Sequence, residues 1–314
     1  MHANNQSNTP ATLKRPLSAP EAEMCTRLRR HVEMLSEVIG IRNTDRPGGL
    51  EAAARYIEDH LRAHGFEPRM QAFKAGGVMV RNIDVEIPGI DPRKKDEILL
   101  FGAHYDSVDC PAANDNGSGV ASILEAARAF QGKQFKRTVR LVFFVNEEPP
   151  WYKGKFMGSV RYAKRCRERN EKIIGLVNME TIGCYYSNPG SQQYPGSRLQ
   201  RLEWLLPKRG NFVVFTGDLA SWKLIRRTYA RFKKHAQFPA MWLPAPRSIM
   251  GPDMSDQWSF WQEGYPALMV TDTAFLRYPY YHHSQDLPRY MNFECMTRVV
   301  GGVIEAVADM AGRV

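Results

Sequence analysis

The chain has 314 residues, of which 43% are hydrophobic and 24% charged, and its formal net charge is +10. That length suffices for a large buried core, and no run of about 18 apolar residues is present to form a membrane-spanning helix. The excess of Lys and Arg raises nucleic acid as a partner, but no helix-turn-helix, RNA-recognition or zinc-finger pattern accompanies it.

In chain order, the first 20 residues are polar and proline-containing and lack the apolar centre of a secretory signal. They read as a disordered arm (residues 1–20) on a cytoplasmic protein. The stretch GGLEAAARYIEDHLRAHG places Leu50, Ala54, Ile57 and Leu61 on one helical face and stops at Gly65. VMVRNIDVEIPG alternates like a half-buried strand, and DEILLFGAH is a continuous apolar run suited to a central strand buried on both faces. A helix with the stripe Val120, Ile123, Leu124 and Ala127 follows, then the strands TVRLVFFVN and IIGLVNM with the helix MGSVRYAKRCRER between them. Residues 185–210 are rich in Gly, Pro and Ser and read as a loop insertion. NFVVFTG and YPALMVT are further strands, and a helix from NFECMTRVV onward closes the chain.

Strand–helix alternation of this kind predicts an α/β fold: a mixed, largely parallel central sheet flanked by helices on both faces. The basic runs RYAKRCRER and KLIRRTYARFKK have helical spacing and read as solvated helix faces. Five scattered cysteines, Cys25, Cys110, Cys166, Cys184 and Cys295, contain no CxxC pair. They argue against a disulfide framework and a thiolate zinc site.

Ligands in such folds bind beyond the carboxyl ends of the strands, and polar clusters stand there. One strand runs into His104 and Asp106, which share a face because they are two residues apart. A carboxylate beside a ligating His fixes its tautomer. Another strand runs into the adjacent acids Glu147 and Glu148, followed by Pro149 and Pro150. Neighbours on an ideal strand point to opposite faces, but a strand end broken by prolines relaxes that constraint. One carboxylate then binds a cation while the other moves a proton, and spacing alone allows either order. Asp115 precedes a helix; Asn114, Asn116 and Ser118 are equally able to cap it, which leaves Asp115 free for a bridging role. Glu180 ends the next strand, and His282 or His283 follows the last one. Nitrogen and oxygen donors of this kind suit zinc, manganese or cobalt.

The motifs GAHYDS, NDNGSG, NEEP followed by MGS, NMETIG, SDQWSFWQEGYPA and YHHSQDLP run in order through residues 45 to 310. Together they resemble the M28 family of zinc-dependent aminopeptidases. The resemblance implies a zinc-exopeptidase-like, phosphorylase/hydrolase-like fold, one domain over residues 21–314, and two zinc ions per chain. It implies that His104 and Glu180 hold one zinc, that Glu148 and His282 hold the other, and that Asp115 bridges them. Glu147 is then the general base and acid, and Asp106 orients His104. His282 is chosen over His283 because the family's ligand stands four residues before an Asp, here Asp286. Peptides with a free N-terminus are the implied substrates. Tyr281, His283 and Trp258 are placed on the substrate side, with Trp261 and Phe275 as further pocket walls. The chain departs from the family in having Gln257 where Ser-Asp-His is common, and in lacking a tyrosine just upstream; the oxyanion is then expected to lean on zinc or on another donor such as Tyr280 or Tyr281. Three other readings compete: an M20-like carboxypeptidase or deacylase, a one-zinc glutaminyl-peptide cyclase, and a non-catalytic basic binding protein on the same fold.

Overall fold

The computed structural model describes residues 9–194, 204, 206–247, 249 and 251–314. Eight strands form one sheet: β1 (Arg69–Ala75), β2 (Val78–Ile87), β3 (Glu97–His104), β4 (Thr138–Phe144), β5 (Lys172–Glu180), β6 (Val213–Asp218), β7 (Ala240–Ala245) and β8 (Ala267–Thr271). Their order is β1-β2-β4-β3-β5-β8-β6-β7. The pairs β3–β4, β3–β5, β5–β8 and β6–β7 are parallel, and β1–β2, β2–β4 and β6–β8 are antiparallel. The sheet is therefore mixed with a parallel centre, as the alternation predicts.

Seven α-helices cover it: α1 (Ala19–Glu33), α2 (Pro47–Ala63), α3 (Ser118–Phe130), α4 (Gly158–Glu168), α5 (Trp222–His235), α6 (Gln257–Gln262) and α7 (Phe293–Ala311), counted among the described residues. The predicted stripes of α2 and α3 are buried, and Gly65, at φ 78°, takes the left-handed turn that ends α2. Strand β3 explains the two-faced core. Its Leu99, Phe101 and Ala103 pack with α1, α2, α3, α5 and α7, while Ile98 and Leu100 pack with Tyr162 and Cys166 of α4 and Phe260 and Trp261 of α6. A strand covered on both faces has no polar alternation to show.

Three features differ from the sequence expectations. Strand β2 is buried on both faces over 82–85, because α4 lies on its second side: Tyr162 Oη donates to Asp84 at 3.1 Å and Asn82 Nδ2 to Gly158 O at 2.8 Å. The basic face of α4 is partly drawn inward, with Arg165 3.3 Å from Asp84 and Arg161 4.6 Å above the Phe73 ring; on α5, Lys223, Arg226, Arg227, Lys233 and Lys234 are exposed. Finally, residues 9–20, expected inside the disordered arm, are fastened to the body. Ala11 N donates to Tyr185 O at 2.9 Å, Asn292 Nδ2 to Ala11 O at 2.7 Å, and Arg298 Nη2 to Pro16 O at 2.8 Å. Ser18 and Glu21 close a capping box that starts α1 before Pro20. Residues 1–8 of that arm, and 195–203 and 205 of the expected loop insertion, lie outside the described residues. No helix of the described residues is long and apolar enough to cross a membrane.

The chain passes from β4 to β5 across β3, so the strand order reverses at β3. The crevice at that reversal, beyond the carboxyl ends, is where an open α/β sheet places its ligand.

Candidate metal centre

His104 is the last residue of β3 and is 1% exposed. Its neighbour strand β4 ends at Phe144, and the chain then turns through Asn146 at φ 60°. Asp106 pins the segment beyond that turn: its Oδ1 accepts from Glu147 N and its Oδ2 from Glu148 N, both at 3.1 Å. One carboxylate thus grips two consecutive amides, and the left-handed Asn146 redirects the strand. This is how adjacent acids both come to be buried at one place, at 5% and 3% exposure; the prolines alone were the sequence-level reason. Asp106 lies 3.5 Å from His104 Nδ1, too far for a good hydrogen bond, so its firm partners are main-chain amides rather than the imidazole.

Asp115 sits at a kink in the segment Ala113–Gly117 ahead of α3, with non-helical backbone at φ −110° and ψ 91°. The N-cap of α3 is Gly117, and Asn116 just before it accepts from Gly119 N through Oδ1 at 2.9 Å. Gly119 must be glycine here, since a Cβ would meet Asn116 Oδ1 and would stand 2.7 Å from Met179 O. Asp115 is freed from capping, as the sequence allowed. Glu180 ends β5, and Ser255 Oγ donates to its Oε2 at 2.6 Å. Asn178 Nδ2 in turn donates to Ser255 Oγ at 3.0 Å and to Gln257 Oε1 at 3.1 Å. Gln257 therefore serves the buried scaffold. His282 stands at φ 57° in the loop after β8.

These elements bring six of the predicted groups together. Asp115 Oδ1 is 3.4 Å from His104 Nε2, and Asp115 Oδ2 is 3.0 Å from His282 Nε2. Glu180 Oε2 lies 3.3 Å from His104 Nε2, Glu148 Oε1 3.2 Å from His282 Nε2, and Glu147 Oε2 4.0 Å from His104 Nε2. Two triads, His104–Asp115–Glu180 and Asp115–Glu148–His282, each have ligand atoms close enough to share one cation; His104, Glu147 and Glu148 form a third such group.

The electrostatics call for positive charge. Asp106, Asp115, Glu147, Glu148, Glu180 and Asp256 are all buried, and among the described residues none makes an ion pair with Lys or Arg. Burial, followed by Asp115, pushes Glu148 up to about 7. Burial also raises Glu147 well above the carboxylate range, with Glu148, Asp256 and Glu180 adding repulsion that His104 only partly offsets. Burial would lower His282, but its contacts with Asp115 and Glu148 carry it up to about 10. Asp115 Oδ2, Glu148 Oε1 and His104 Nδ1 are buried without a properly directed hydrogen bond. Orphaned oxygens facing two imidazoles, in a set of hard and borderline donors, fit zinc.

Of the predicted substrate-side residues, Tyr281 is beside the cluster, its ring stacked on His282 at 4.0 Å. Burial and the carboxylates of Asp115 and Glu148 raise its phenol far above the usual range. Phe275 packs 5.8 Å from Tyr281. Tyr280 stacks instead on Tyr290 at 4.2 Å, and His283 is exposed, its Nδ1 accepting from Gln285 N. Trp258 is partly buried below Lys153 Nζ, 5.2 Å from its ring. Trp261 was expected in the pocket, but it is 4% exposed and donates from Nε1 to Ala267 O at 3.0 Å; it is core. Sequence reasoning missed Tyr152, whose phenol is raised by burial and then by Glu147, and whose Oη donates to Asp253 O at 3.3 Å. Its neighbour Lys153 pairs with Asp253 at 2.7 Å, bracing two loops beside the cluster. Nothing in the local pattern of WYKGK signals that placement.

Comparison with known proteins places this geometry. The model of "Peptidase family M28" matches residues 82–307. The uncharacterized protein YfbL of Escherichia coli (strain K12) is 33% identical over 91% of this chain and 88% of its own length. Leupeptin-inactivating enzyme 1 of Streptomyces exfoliatus is 30% identical over 59% of this chain, which spans 42% of that enzyme. BSAP, a zinc aminopeptidase from Bacillus subtilis, shares the fold with a TM-score of 0.73 at 15% identity, over 92% of this chain and 95% of its own. The chain belongs to peptidase family M28.

Proposed function

We propose that this M28 peptidase is a zinc aminopeptidase that removes residues from peptides with a free N-terminus. The observation that carries the reading is the placement of Asp115, with one oxygen 3.4 Å from His104 Nε2 and the other 3.0 Å from His282 Nε2. In this reading His104 and Glu180 would hold one zinc and Glu148 and His282 the other, with Asp115 as the residue shared by the two positions. Bound there, the two ions would supply the positive charge that polarises the scissile carbonyl and acidifies a water.

The remaining work falls to the chain itself. Glu147 takes a proton from the attacking water and returns it to the leaving amine. Its raised proton affinity favours taking the water's proton and keeps that proton at hand for the leaving amine. Asp106 holds that carboxylate in place through the main chain and lies against His104. Glu180 contributes negative charge for the substrate's free amine. Tyr281, whose ring lies on His282, is the phenol assigned to the developing oxyanion, in preference to Tyr280, whose ring packs on Tyr290. Trp258 and His283 flank the approach. One continuous sheet under both cores supports a single domain over 21–314, with an insertion at 185–210. The five free cysteines support a reducing, cytoplasmic setting.

The test is metal analysis combined with a panel of aminoacyl-anilides. Two zinc ions per chain with hydrolysis of one or more anilides is the expected result. Activity on N-acylated substrates alone would move the assignment to an M20-like deacylase. Pyroglutamate formation with one zinc would mark a cyclase, and salt-sensitive binding without zinc or turnover would mark a non-catalytic binder.

A further inference from the structure

Two carboxylates outside the proposed ligand set hold the main chain that presents it. Asp106 grips the amides of Glu147 and Glu148, as described. Asp286 does the same on the opposite wall: its Oδ1 accepts from Asn114 N at 2.8 Å and its Oδ2 from Asp115 N at 3.0 Å. Tyr278 Oη donates to Oδ1 at 2.9 Å, and Ala113 N donates to the main-chain Asp286 O at 3.2 Å. Asp286 is fully buried, and its own amide closes a tight turn by donating to His283 O at 2.8 Å. An ionised carboxylate accepting consecutive amides fixes both the distance and the tilt of the segment it holds.

We infer that Asp286 is a positioning residue that latches the loop carrying His282 to the turn carrying Asp115, and so sets the geometry of one of the two cation positions. This rests on the reading that Asp115, Glu148 and His282 hold a zinc ion. His104 and Glu180 need no such latch, because each is paired in the sheet, His104 with Phe144 of β4 and Glu180 with Thr271 of β8. His282 has no ladder: its side chain is 34% exposed, and Asp286, four residues on, joins its loop to the Asp115 turn. Loss of the latch therefore frees both Asp115 and His282 at one position, and only Asp115 at the other.

The substitution Asp286→Asn tests this. It preserves shape and one acceptor, but turns an NH2 group toward one of the two amides. Zinc-depleted wild type and variant are titrated against buffered free zinc, and their zinc-free melting is followed by circular dichroism. The variant is expected to fold, to bind one equivalent within about threefold of wild type and the other at least about tenfold more weakly, and to regain kcat as free zinc is raised. Two equivalents bound as in wild type, or both weakened alike, would overturn the latch. A wild type that takes up fewer than two equivalents would instead remove the two-zinc reading and this proposal with it. Should Asp286→Asn fail to fold, Tyr278→Phe removes one donor without touching the charge. It should weaken the same single equivalent a few-fold, and an unchanged titration would count against the role.

Discussion

His104 and His282 meet the same carboxylate from opposite kinds of backbone. His104 closes β3, pairs with Phe144 across the ladder and is 1% exposed. His282 occupies a left-handed position in a loop, and its side chain is 34% exposed. One half of the centre is thus inherited from the sheet, where His104 pairs with Phe144 of β4 and Glu180 with Thr271 of β8. The other half is assembled by side chains that hold main chain across long separations, Asp106 for the Glu147–Glu148 turn and Asp286 for the Asp115 turn. Sheet-borne groups are placed by many cooperating bonds; loop-borne groups depend on a few.

The largest expected effect tests whether both halves serve one proton-transfer group. Glu147→Gln should cut kcat/KM by about 10²–10⁴-fold with two zinc ions retained, as measured by anilide kinetics beside metal analysis. Near-normal turnover would remove Glu147 from the chemistry. Next comes the contrast between the histidines. His104→Ala should lose zinc and also destabilise the zinc-free protein by about 2–4 kcal/mol, since it hollows a packed strand end. His282→Ala should lose zinc while zinc-free stability changes by less than about 1 kcal/mol. Denaturant melts of both zinc-free variants decide it, and equal losses would break the distinction.

A smaller effect is expected at Ser255, which donates to Glu180 Oε2 at 2.6 Å. Ser255→Ala removes a hydrogen bond to a charged group, worth about 1.5–3 kcal/mol, and should weaken one zinc equivalent by roughly tenfold or more. Wild-type titration curves for that variant would mean that the ladder alone orients Glu180. The smallest effect separates acid loss of metal from acid unfolding. His31, remote on α1 and bonded through Nδ1 to Tyr56 Oη at 2.7 Å, is pushed down to about 3, by burial first and then by His60. Its pKa is lower folded than unfolded, so the unfolded chain takes up the proton first. Stability is full above pH 6.5 and declines as pH falls toward 3, with a slope of up to about 1.4 kcal/mol per pH unit. His31→Gln should flatten that decline in zinc-free protein, read from urea midpoints between pH 4 and 7. An unchanged slope would place the acid sensitivity elsewhere.

How much was legible in the sequence obeys the same division. Continuous apolar runs announced β3, β4 and β5, and the polar residues at their ends announced His104, the Glu147–Glu148 pair and Glu180. The edge strands β1 and β7 gave no such signal. RMQAFKA does not alternate cleanly and AMWLPA contains Pro244, because edge strands are half-solvated and paired on one side only. Trp261 was misplaced for a related reason: aromatic residues three apart on a short helix read alike, whether they line a cleft or, as here, one of them fills the core. The grips of Asp106 and Asp286 on distant amides join residues 41 and 171 positions apart, and no local pattern encodes such contacts. His282 was separable from His283 only by family register, whereas in space His282 meets Asp115 and His283 accepts from Gln285 N.

The segment before α1 carries a consequence for synthesis on the ribosome. Residues 11 and 16 accept hydrogen bonds from Asn292 and Arg298, at separations of 281 and 282 residues. Ala11 N also meets Tyr185 O, so the strap gains its first partners from the middle of the chain and its last ones from α7. Until α7 is made, α1 can start from its own capping box, and the strap ahead of it is held at the 185–188 segment without its α7 contacts. The α7 side of the strap is therefore fastened late, and a chain stalled before residue 292 should hold the strap less firmly against proteases.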